Sequence, residues 1–250
     1  MKNKLAIIDY GIGGFDLFKM IKRDFPNYPL FYFSDSGYIP YGKLKEDELK
    51  NRIFSVFNFL KSKDITHVAV ACHAASTVSQ GYEGLEIINM IDSTIDSINN
   101  HNFSSIGIIG GGRTIHSKIY KNAVKDSTRE VFQRNAQQLS IIIEDGSYDK
   151  LTLERTLKQV LNPIQNVDVL LLACTHYPAI KKEISMLMKQ NCTLIDPMED
   201  VYIKLKINVL NSNYSEKDQI YTSGNISTMK IACQNAFDVN LNNIIPVKIN

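Results

Sequence analysis

The sequence lacks several features that would assign it to particular classes of protein. Tryptophan is absent, and no apolar run approaches the roughly 18 residues that cross a bilayer. The formal net charge is only +2, and no basic stripe of the kind that binds nucleic acid is present. We therefore expect neither a membrane protein nor a partner of nucleic acid.

Cysteine is also scarce. The four cysteines, Cys72, Cys174, Cys192 and Cys233, are too few to form a disulfide framework in a chain of 250 residues. The charged first residues are followed by an apolar run that is too short for a signal peptide. We therefore predict a cytoplasmic protein whose cysteines are free thiols. The hydrophobic fraction of 44% is that of an ordinary globular chain.

Short apolar runs alternate with helix-like patterns along the chain. The pattern from Phe15 to Asp24, for example, is that of an amphipathic helix. Continuous apolar strands separated by helices predict an α/β fold with parallel sheets covered on both faces, and such sheets bind ligands at the carboxyl ends of their strands. The predicted strands cover residues 5–8, 30–33, 67–71, 106–109, 169–173 and 193–195.

The spacing of these strands predicts two similar halves. Cys72 and Cys174 each follow a predicted strand and lie 102 residues apart. The first strand and its glycine-rich turn have a counterpart at the same offset, with Ile7 matching Ile109. A shared period indicates an internal duplication. We expect the two halves to face each other and to present both cysteines to one cleft.

The glycine-rich turns do not carry a nucleotide-binding motif. A dinucleotide fingerprint would need glycine at positions occupied by Asp16 and Ile115, and no Gly-Lys-Ser/Thr tripeptide follows either turn. The glycines therefore serve a tight turn or the close approach of backbone to a small ligand. Amide groups at the following helix starts would favour a carboxylate on that ligand.

Three interpretations of the cysteines remain open from the residues alone. Both could be buried structural thiols, since free cysteine is among the most buried residue types. A metal site of two cysteines and two histidines lacks the usual Cys-x-x-Cys spacing. The third interpretation is acid–base chemistry at a carbon atom. A helix start after each cysteine would lower the thiol pKa toward neutrality, and His176 and Asp9 could assist proton movement.

Six segments, in order from residue 5 to about 200, resemble the motifs of the glutamate racemase family within the aspartate/glutamate racemase superfamily. The pentapeptide from Cys174 to Pro178 (Cys-Thr-His-Tyr-Pro) is the most specific. The others are Ile8–Gly14, Phe33–Ser36 with Pro40–Gly42, Ala71–Ser76, Thr114–Ser117 with Tyr120, and Ile143–Gly146.

This resemblance implies an architecture and a reaction. It implies two pseudo-symmetric parallel-sheet α/β domains with the active site in the cleft between them. Residues 1–97 and 209–250 would form the first domain and 98–208 the second, with a loop over the polar stretch 208–218 before the chain returns. The resemblance also implies a homodimer and a small-molecule amino-acid substrate, with no metal and no pyridoxal phosphate or other cofactor. One cysteine would remove the α-proton while the other donates a proton to the opposite face.

The resemblance also assigns roles to particular residues. Cys72 and Cys174 would be the acid–base pair, with Asp9, His176 and Glu144 as catalytic auxiliaries. The expected substrate-binding residues are Tyr10, Pro40, Tyr41, Gly42, His73, Ala74, Thr114 and Thr175.

Several departures from the family motifs are expected to cluster in the same pocket. Tyr10 replaces a serine, His73 and Ala74 replace an Asn-Thr pair, and Gly111 stands where threonine is common. A site that hydrogen-bonds one substrate group discriminates strongly when that partner changes. We therefore predict that the reaction type is retained, while the preference for glutamate stays open.

Other functions are compatible with the same residues. The chain could act on a different amino acid or a dicarboxylate as a racemase or isomerase, or bind an amino acid without catalysis. A hydrolase built on Cys174 and His176 lacks an identifiable third residue to orient the histidine. If glutamate is the substrate, D-glutamate would feed peptidoglycan synthesis during cell-wall biogenesis.

Overall fold

The computed structural model describes residues 3–124, 128–146, 149–209 and 217–249. Most of the polar stretch predicted to form a loop, residues 210–216, lies outside the described residues. The strands are β1 (Leu5–Asp9), β2 (Leu30–Ser34), β3 (His67–Val70), β4 (Glu86–Asn89), β5 (Ser105–Gly110), β6 (Glu130–Asn135), β7 (Val169–Ala173), β8 (Thr193–Ile195), β9 (Gln219–Thr222) and β10 (Ile244–Pro246).

Helices separate most of these strands. They are α1 (Phe15–Asp24), α2 (Glu46–Lys61), α3 (His73–Ser76), α4 (Met90–Asn100), α5 (Gly112–Ser117), α6 (Ile119–Ala123), α7 (Gln137–Asp145), α8 (Lys150–Leu161), α9 (Lys181–Leu187), α10 (Pro197–Asn208) and α11 (Ile226–Phe237). Short 3₁₀ turns cover Tyr41–Lys43, Asn162–Ile164 and Tyr177–Ile180. Polar residues cap several helices, because their side-chain oxygens accept the amide protons that the first turn leaves free: Asn89 caps α4, Asp149 caps α8, Asp196 caps α10 and Asn225 caps α11.

The strands form two separate parallel sheets. The first sheet has the order β10-β9-β2-β1-β3-β4, and the second has the order β6-β5-β7-β8. The run β2-β1-β3-β4 is repeated in the second sheet as β6-β5-β7-β8, so each half winds its strands in the same way. The predicted fold class, two pseudo-symmetric parallel-sheet α/β units, is confirmed.

The core lies where helices cover the sheets. Every residue of β1, β2 and β7 is buried, which explains their continuous apolar sequences. Strands β4, β6, β9 and β10 were not predicted from the sequence. Three of these are edge strands in the described sheets, and all four carry polar or exposed residues that break the apolar run.

The first sheet differs from the second by two added strands, β9 and β10, which come from the end of the chain. The predicted domain boundary after residue 97 falls within α4, and the one after residue 208 falls at the end of α10. The division into domains at these positions stays a prediction. Within the described part of the chain, no helix combines the length and apolar character needed to cross a membrane.

Candidate active site

A cavity of about 470 Å³ opens at the carboxyl ends of strands from both sheets. This volume falls within the range of about 300–1,000 Å³ that is typical of small-molecule sites. All the residues that the sequence analysis assigned to the site line this cavity: Asp9, Tyr10, Pro40, Tyr41, Gly42, Cys72, His73, Ala74, Thr114, Glu144, Cys174, Thr175 and His176.

Cys72 follows β3 and occupies the position just before α3. Burial raises the pKa of its thiol well above the usual value, and the nearby Asp9 carboxyl raises it further. The expected lowering of the Cys72 pKa by a helix start is therefore wrong. Helix α3 has only four residues, and the backbone hydrogen bonds that favour the thiolate are outweighed by the loss of water. Cys72 is thus held as a neutral thiol.

Cys174 directly follows β7 and contacts a histidine–carboxylate pair. Its sulfur lies 3.7 Å from Nδ1 of His176, and Nε2 of the same ring lies 2.6 Å from Oε2 of Glu144. Burial disfavours the charged ring, but hydrogen bonds to Cys174 and Glu144 outweigh it and raise the pKa of His176 well above its usual value. The ring is therefore held as an imidazolium between two groups that stabilise its charge.

Asp9 lies at the end of β1, between the two sheets. Burial raises the pKa of its carboxyl, the His176 charge lowers it, and the Glu144 charge raises it again. Its Oδ2 accepts hydrogen bonds from the amides of Gly11 and Gly14, each at 3.3 Å, and its Oδ1 accepts one from the Thr175 hydroxyl at 3.4 Å.

The amides of the first glycine-rich turn are therefore engaged within the protein. Besides the two amides held by Asp9, the amide of Ile12 donates to Oε2 of Glu144 at 3.0 Å. We expected these groups to favour a carboxylate on a ligand. Instead, they bind two carboxylates of the chain, because both side chains fold over the turn.

Two glycines of this turn permit that close approach. A Cβ atom on Gly11 would lie 2.0 Å from Oε2 of Glu144, and one on Gly13 would lie 2.3 Å from Oγ1 of Thr175. Both distances are far shorter than non-bonded atoms tolerate. The turn after β1 thus brings residues from the two sheets into direct contact.

The loop that contains Pro40, Tyr41 and Gly42 is anchored by a buried ion pair. The Tyr41 hydroxyl donates to Oδ2 of Asp35 at 2.7 Å, and Nε and Nη2 of Arg52 donate to the same carboxylate at 2.8 and 2.7 Å. Tyr10 packs edge-on against Tyr41, with ring centroids 5.2 Å apart. Burial and the Glu144 charge raise the pKa of Tyr10 to about 12, so Tyr10 is a neutral phenol.

His73 and Ala74 form the wall beside Cys72. Nδ1 of His73 lies 2.6 Å from the Tyr120 hydroxyl, and burial lowers the pKa of the ring to about 3. His73 is therefore a neutral imidazole. Its Nε2 is buried without a hydrogen-bond partner among the described residues. Ala74 offers no polar side chain at the next position.

Part of the lining of the cavity was not predicted from the sequence. Arg113 directly precedes the motif that begins at Thr114 and could have been noticed for its charge. The α11 residues come from the far end of the chain, where no motif points to the cavity. The missed lining residues are Ser36, Lys43, Arg113, Gln137, Ser140, Ile141, Asp145, Asn225, Thr228 and Met229. In the described ranges, no group of three or more His, Cys, Asp or Glu side chains is placed to hold a metal ion.

Comparison with known proteins identifies the chain as an isomerase of the racemase type. Residues 17–200 match the model of the Asp/Glu/Hydantoin racemase family. Glutamate racemase 3 of Caldanaerobacter subterraneus subsp. tengcongensis is 30% identical over 231 residues, which cover 88% of this chain and 85% of that protein. A glutamate racemase of Thermoanaerobacter is 27% identical over 98% of this chain and 97% of its own length. The chain belongs to the Asp/Glu/Hydantoin racemase family.

Solved structures agree on the fold. A glutamate racemase isoform of Bacillus anthracis superposes with a TM-score of 0.88 at 24% identity, covering 99% of this chain and 98% of that one. Glutamate racemase of Francisella tularensis, solved in complex with D-glutamate, gives a TM-score of 0.87 at 22% identity, covering 100% and 98%. The predicted family and enzyme class are confirmed, and the two-sheet architecture is that of these enzymes.

Proposed function

We propose that this chain racemises glutamate without a cofactor, by proton transfer between the α-carbon and the thiols of Cys72 and Cys174. The observation that carries the proposal is that both cysteines, from equivalent strand ends of the two sheets, line one cavity. Support for glutamate comes from relatives named as glutamate racemases that match nearly the whole chain, and from the D-glutamate bound in the Francisella tularensis enzyme.

The two cysteines have different charged neighbours. The His176 imidazolium lies beside the sulfur of Cys174, and Glu144 holds that imidazolium in place. Cys72 is buried beside Asp9, which favours its neutral thiol. The reaction requires one base and one acid, and we assign Cys174 as the base and Cys72 as the acid in one direction.

In one turnover the substrate loses one proton and gains another. The Cys174 thiolate takes the α-proton from one face of the substrate, and the Cys72 thiol gives its proton to the opposite face of the resulting carbanion. The product is the opposite enantiomer, with Cys174 protonated and Cys72 ionised. Reaction in the other direction starts from that second state, and exchange of protons between the thiols and water restores the first.

The α-proton of an amino acid is very weakly acidic, so the site must stabilise the developing negative charge. Asp9, Cys72 and His176 are all buried, which excludes water and strengthens electrostatic interactions at the reacting carbon. We assign Asp9 and His176 as auxiliaries of the two thiols, with Glu144 acting through His176. Thr114 and Thr175 present buried hydroxyls to the cavity, where they suit the polar groups of the substrate.

Isotope exchange tests this proposal directly. The protein is incubated with L- or D-glutamate in heavy water, and α-deuterium is followed by mass spectrometry or NMR. We expect both enantiomers to gain deuterium and to interconvert. Absence of exchange with glutamate and with every other common amino acid would refute the assignment. Stabilisation by glutamate in a thermal-shift assay without exchange would instead identify a silent binding protein.

Single cysteine variants test the mechanism. Cys72→Ala and Cys174→Ala are each expected to abolish racemisation, because each removes one of the two proton carriers. Cys192→Ala is the matched control, because the Cys192 thiol lies outside the cavity lining. This variant is expected to keep full activity. Normal racemisation by either of the first two variants would rule out the two-thiol mechanism.

The cellular role follows from the substrate. D-glutamate made by this reaction would serve peptidoglycan synthesis in a bacterial cytoplasm. We also propose a homodimer, which analytical ultracentrifugation can test by comparison with the 28.3 kDa mass of one chain.

A further inference from the structure

One side of the cavity carries cations that the proposed chemistry does not use. Lys43 and Arg113 line it and also line a second cavity of about 600 Å³, where they are joined by His116. Gly42 and Gln137 border both cavities as well. These shared residues lie where the cavity that holds the cysteines meets the second cavity.

Arg113 is fixed in this junction by two contacts. Its side chain is 12% exposed, its Nε donates to Oγ1 of Thr77 at 2.9 Å, and its Nη2 lies 3.3 Å from Oε2 of Glu46. Thr77 directly follows α3, the helix that begins after Cys72. A guanidinium has five N–H donors, so three remain without a partner among the described residues.

The partner of Arg113 is easily displaced. The Glu46 side chain is 75% exposed, and an ion pair with so much water around it contributes little. The side chain of Lys43 has no hydrogen bond or ion pair within the described part of the chain. A bound anion could therefore take up the free donors of Arg113 at a small cost.

Three acidic residues line the cavity, and two of them lie close to the cysteines. Asp9 and Glu144 surround the glycine-rich turn and His176, near the cysteines. An amino acid whose α-carbon lies between the thiols would meet carboxylates there, which suit its ammonium group. An acidic side chain would be repelled from these carboxylates and attracted to Arg113 and Lys43.

The wall beside Arg113 is rigid. Oε1 of Gln137 accepts from the amide of Gly112 at 3.3 Å, and its Nε2 donates to Ser140 at 2.9 Å. Cβ atoms on Gly42 and Gly111 would lie only 2.8 and 2.9 Å from the same Oε1. The Gln137 amide thus fills the space between the two loops, and Arg113 and Lys43 are the positively charged residues that line the cavity beside it.

We propose that Arg113 is the specificity-determining residue that binds the side-chain carboxylate of an acidic amino-acid substrate, with Lys43 adding to the positive potential. This inference rests on the proposed racemase function. It also predicts an acidic substrate for a site in which Tyr10, His73 and Ala74 depart from the family motifs.

The test compares glutamate with glutamine, which has nearly the same shape without the negative charge. The selectivity ratio is the kcat/KM for glutamate divided by that for glutamine, each followed by α-deuterium incorporation. We expect Arg113→Gln to lower this ratio about 10- to 100-fold, as loss of a charge-assisted hydrogen bond does. Arg113→Lys keeps the charge and should retain most of the ratio.

Three further variants separate specificity from structure. Arg155→Gln makes the same substitution on the exposed face of α8, outside the cavity lining, and should leave both substrates unaffected. Thr77→Val removes a contact that orients Arg113 without changing its charge, so it should lower the ratio by less than Arg113→Gln does. Glu46→Gln frees Arg113 and should lower the KM for glutamate about 2- to 5-fold, in line with the small free energy of an exposed pair.

The outcomes distinguish the two proposals. A wild-type protein that exchanges no amino acid overturns the racemase function itself. An active wild type overturns only the Arg113 assignment if Arg113→Gln lowers glutamate and glutamine turnover equally, or if Glu46→Gln leaves the KM for glutamate unchanged. The Glu46 substitution lies on an exposed side chain, so it remains informative if Arg113→Gln does not fold.

Discussion

The contact between Glu144 and His176 gives a prediction about pH. Glu144→Gln keeps the shape of the side chain but removes the charge that helps to hold His176 as an imidazolium. Loss of one hydrogen bond between charged groups costs roughly 1.5–3 kcal/mol, which corresponds to a fall of roughly 10- to 150-fold in kcat/KM. The Glu144 side chain is 21% exposed, so solvent places the expected loss toward the lower end of this range.

The sign of the pH effect follows from the direction of the shift. A histidine whose folded-state pKa is raised stabilises the fold fully below its unfolded pKa of about 6.5, and the contribution disappears as pH rises through the folded value. In Glu144→Gln the pKa of His176 falls. The alkaline loss of activity, and the accompanying loss of stability, should therefore begin at a lower pH than in the wild type.

The assay is the pH profile of kcat/KM for racemisation, followed by circular dichroism of the substrate. Glu154→Gln on α8 is the matched control, because its carboxylate lies outside the cavity lining and pairs with Lys158. An alkaline limb at the same pH in Glu144→Gln and wild type would refute our account of His176.

Two more substitutions test the surroundings of the site. Gly11→Ala would place a Cβ atom 2.0 Å from Oε2 of Glu144 and should therefore displace that carboxylate. We expect the same loss of activity as in Glu144→Gln, measured in the same racemisation assay. Wild-type activity in Gly11→Ala would show that the contact is not needed. Asp35→Asn leaves the buried Arg52 without its charge partner. Urea denaturation should therefore show a loss of about 3–5 kcal/mol in the free energy of unfolding. A change below about 1 kcal/mol would mean that the pair is not important for stability.

Much of the fold could be predicted because its central strands are buried on both faces. The runs that became β1, β2 and β7 are continuously apolar, and the cysteines after β3 and β7 fixed the period of the duplication. Edge strands such as β6 escaped detection because polar residues, here Glu130, Gln133 and Arg134, interrupt the apolar pattern. Strands β9 and β10 depend on long-range pairing with the first sheet, which local patterns do not encode.

The residues of the site were predicted from the sequence, but the pKa of Cys72 was not. Short motifs placed Asp9, Cys72 and Cys174 at strand ends that parallel topology brings together. The pKa of Cys72 was predicted in the wrong direction, because a local helix start was considered without burial or the Asp9 charge. Arg113 was missed because its contacts, Thr77 and Glu46, are distant in sequence.

The duplicated halves present equivalent thiols with unlike neighbours, a carboxyl beside Cys72 and an imidazolium beside Cys174. Two enantiomers have equal free energies in water, so the equilibrium constant between them is one and kcat/KM must be the same from either side. Unlike neighbours can nevertheless make turnover at saturation faster from one enantiomer than from the other, with KM changing in the same proportion. The asymmetry of the pocket can thus decide which enantiomer accumulates on the enzyme, but not which one accumulates in solution.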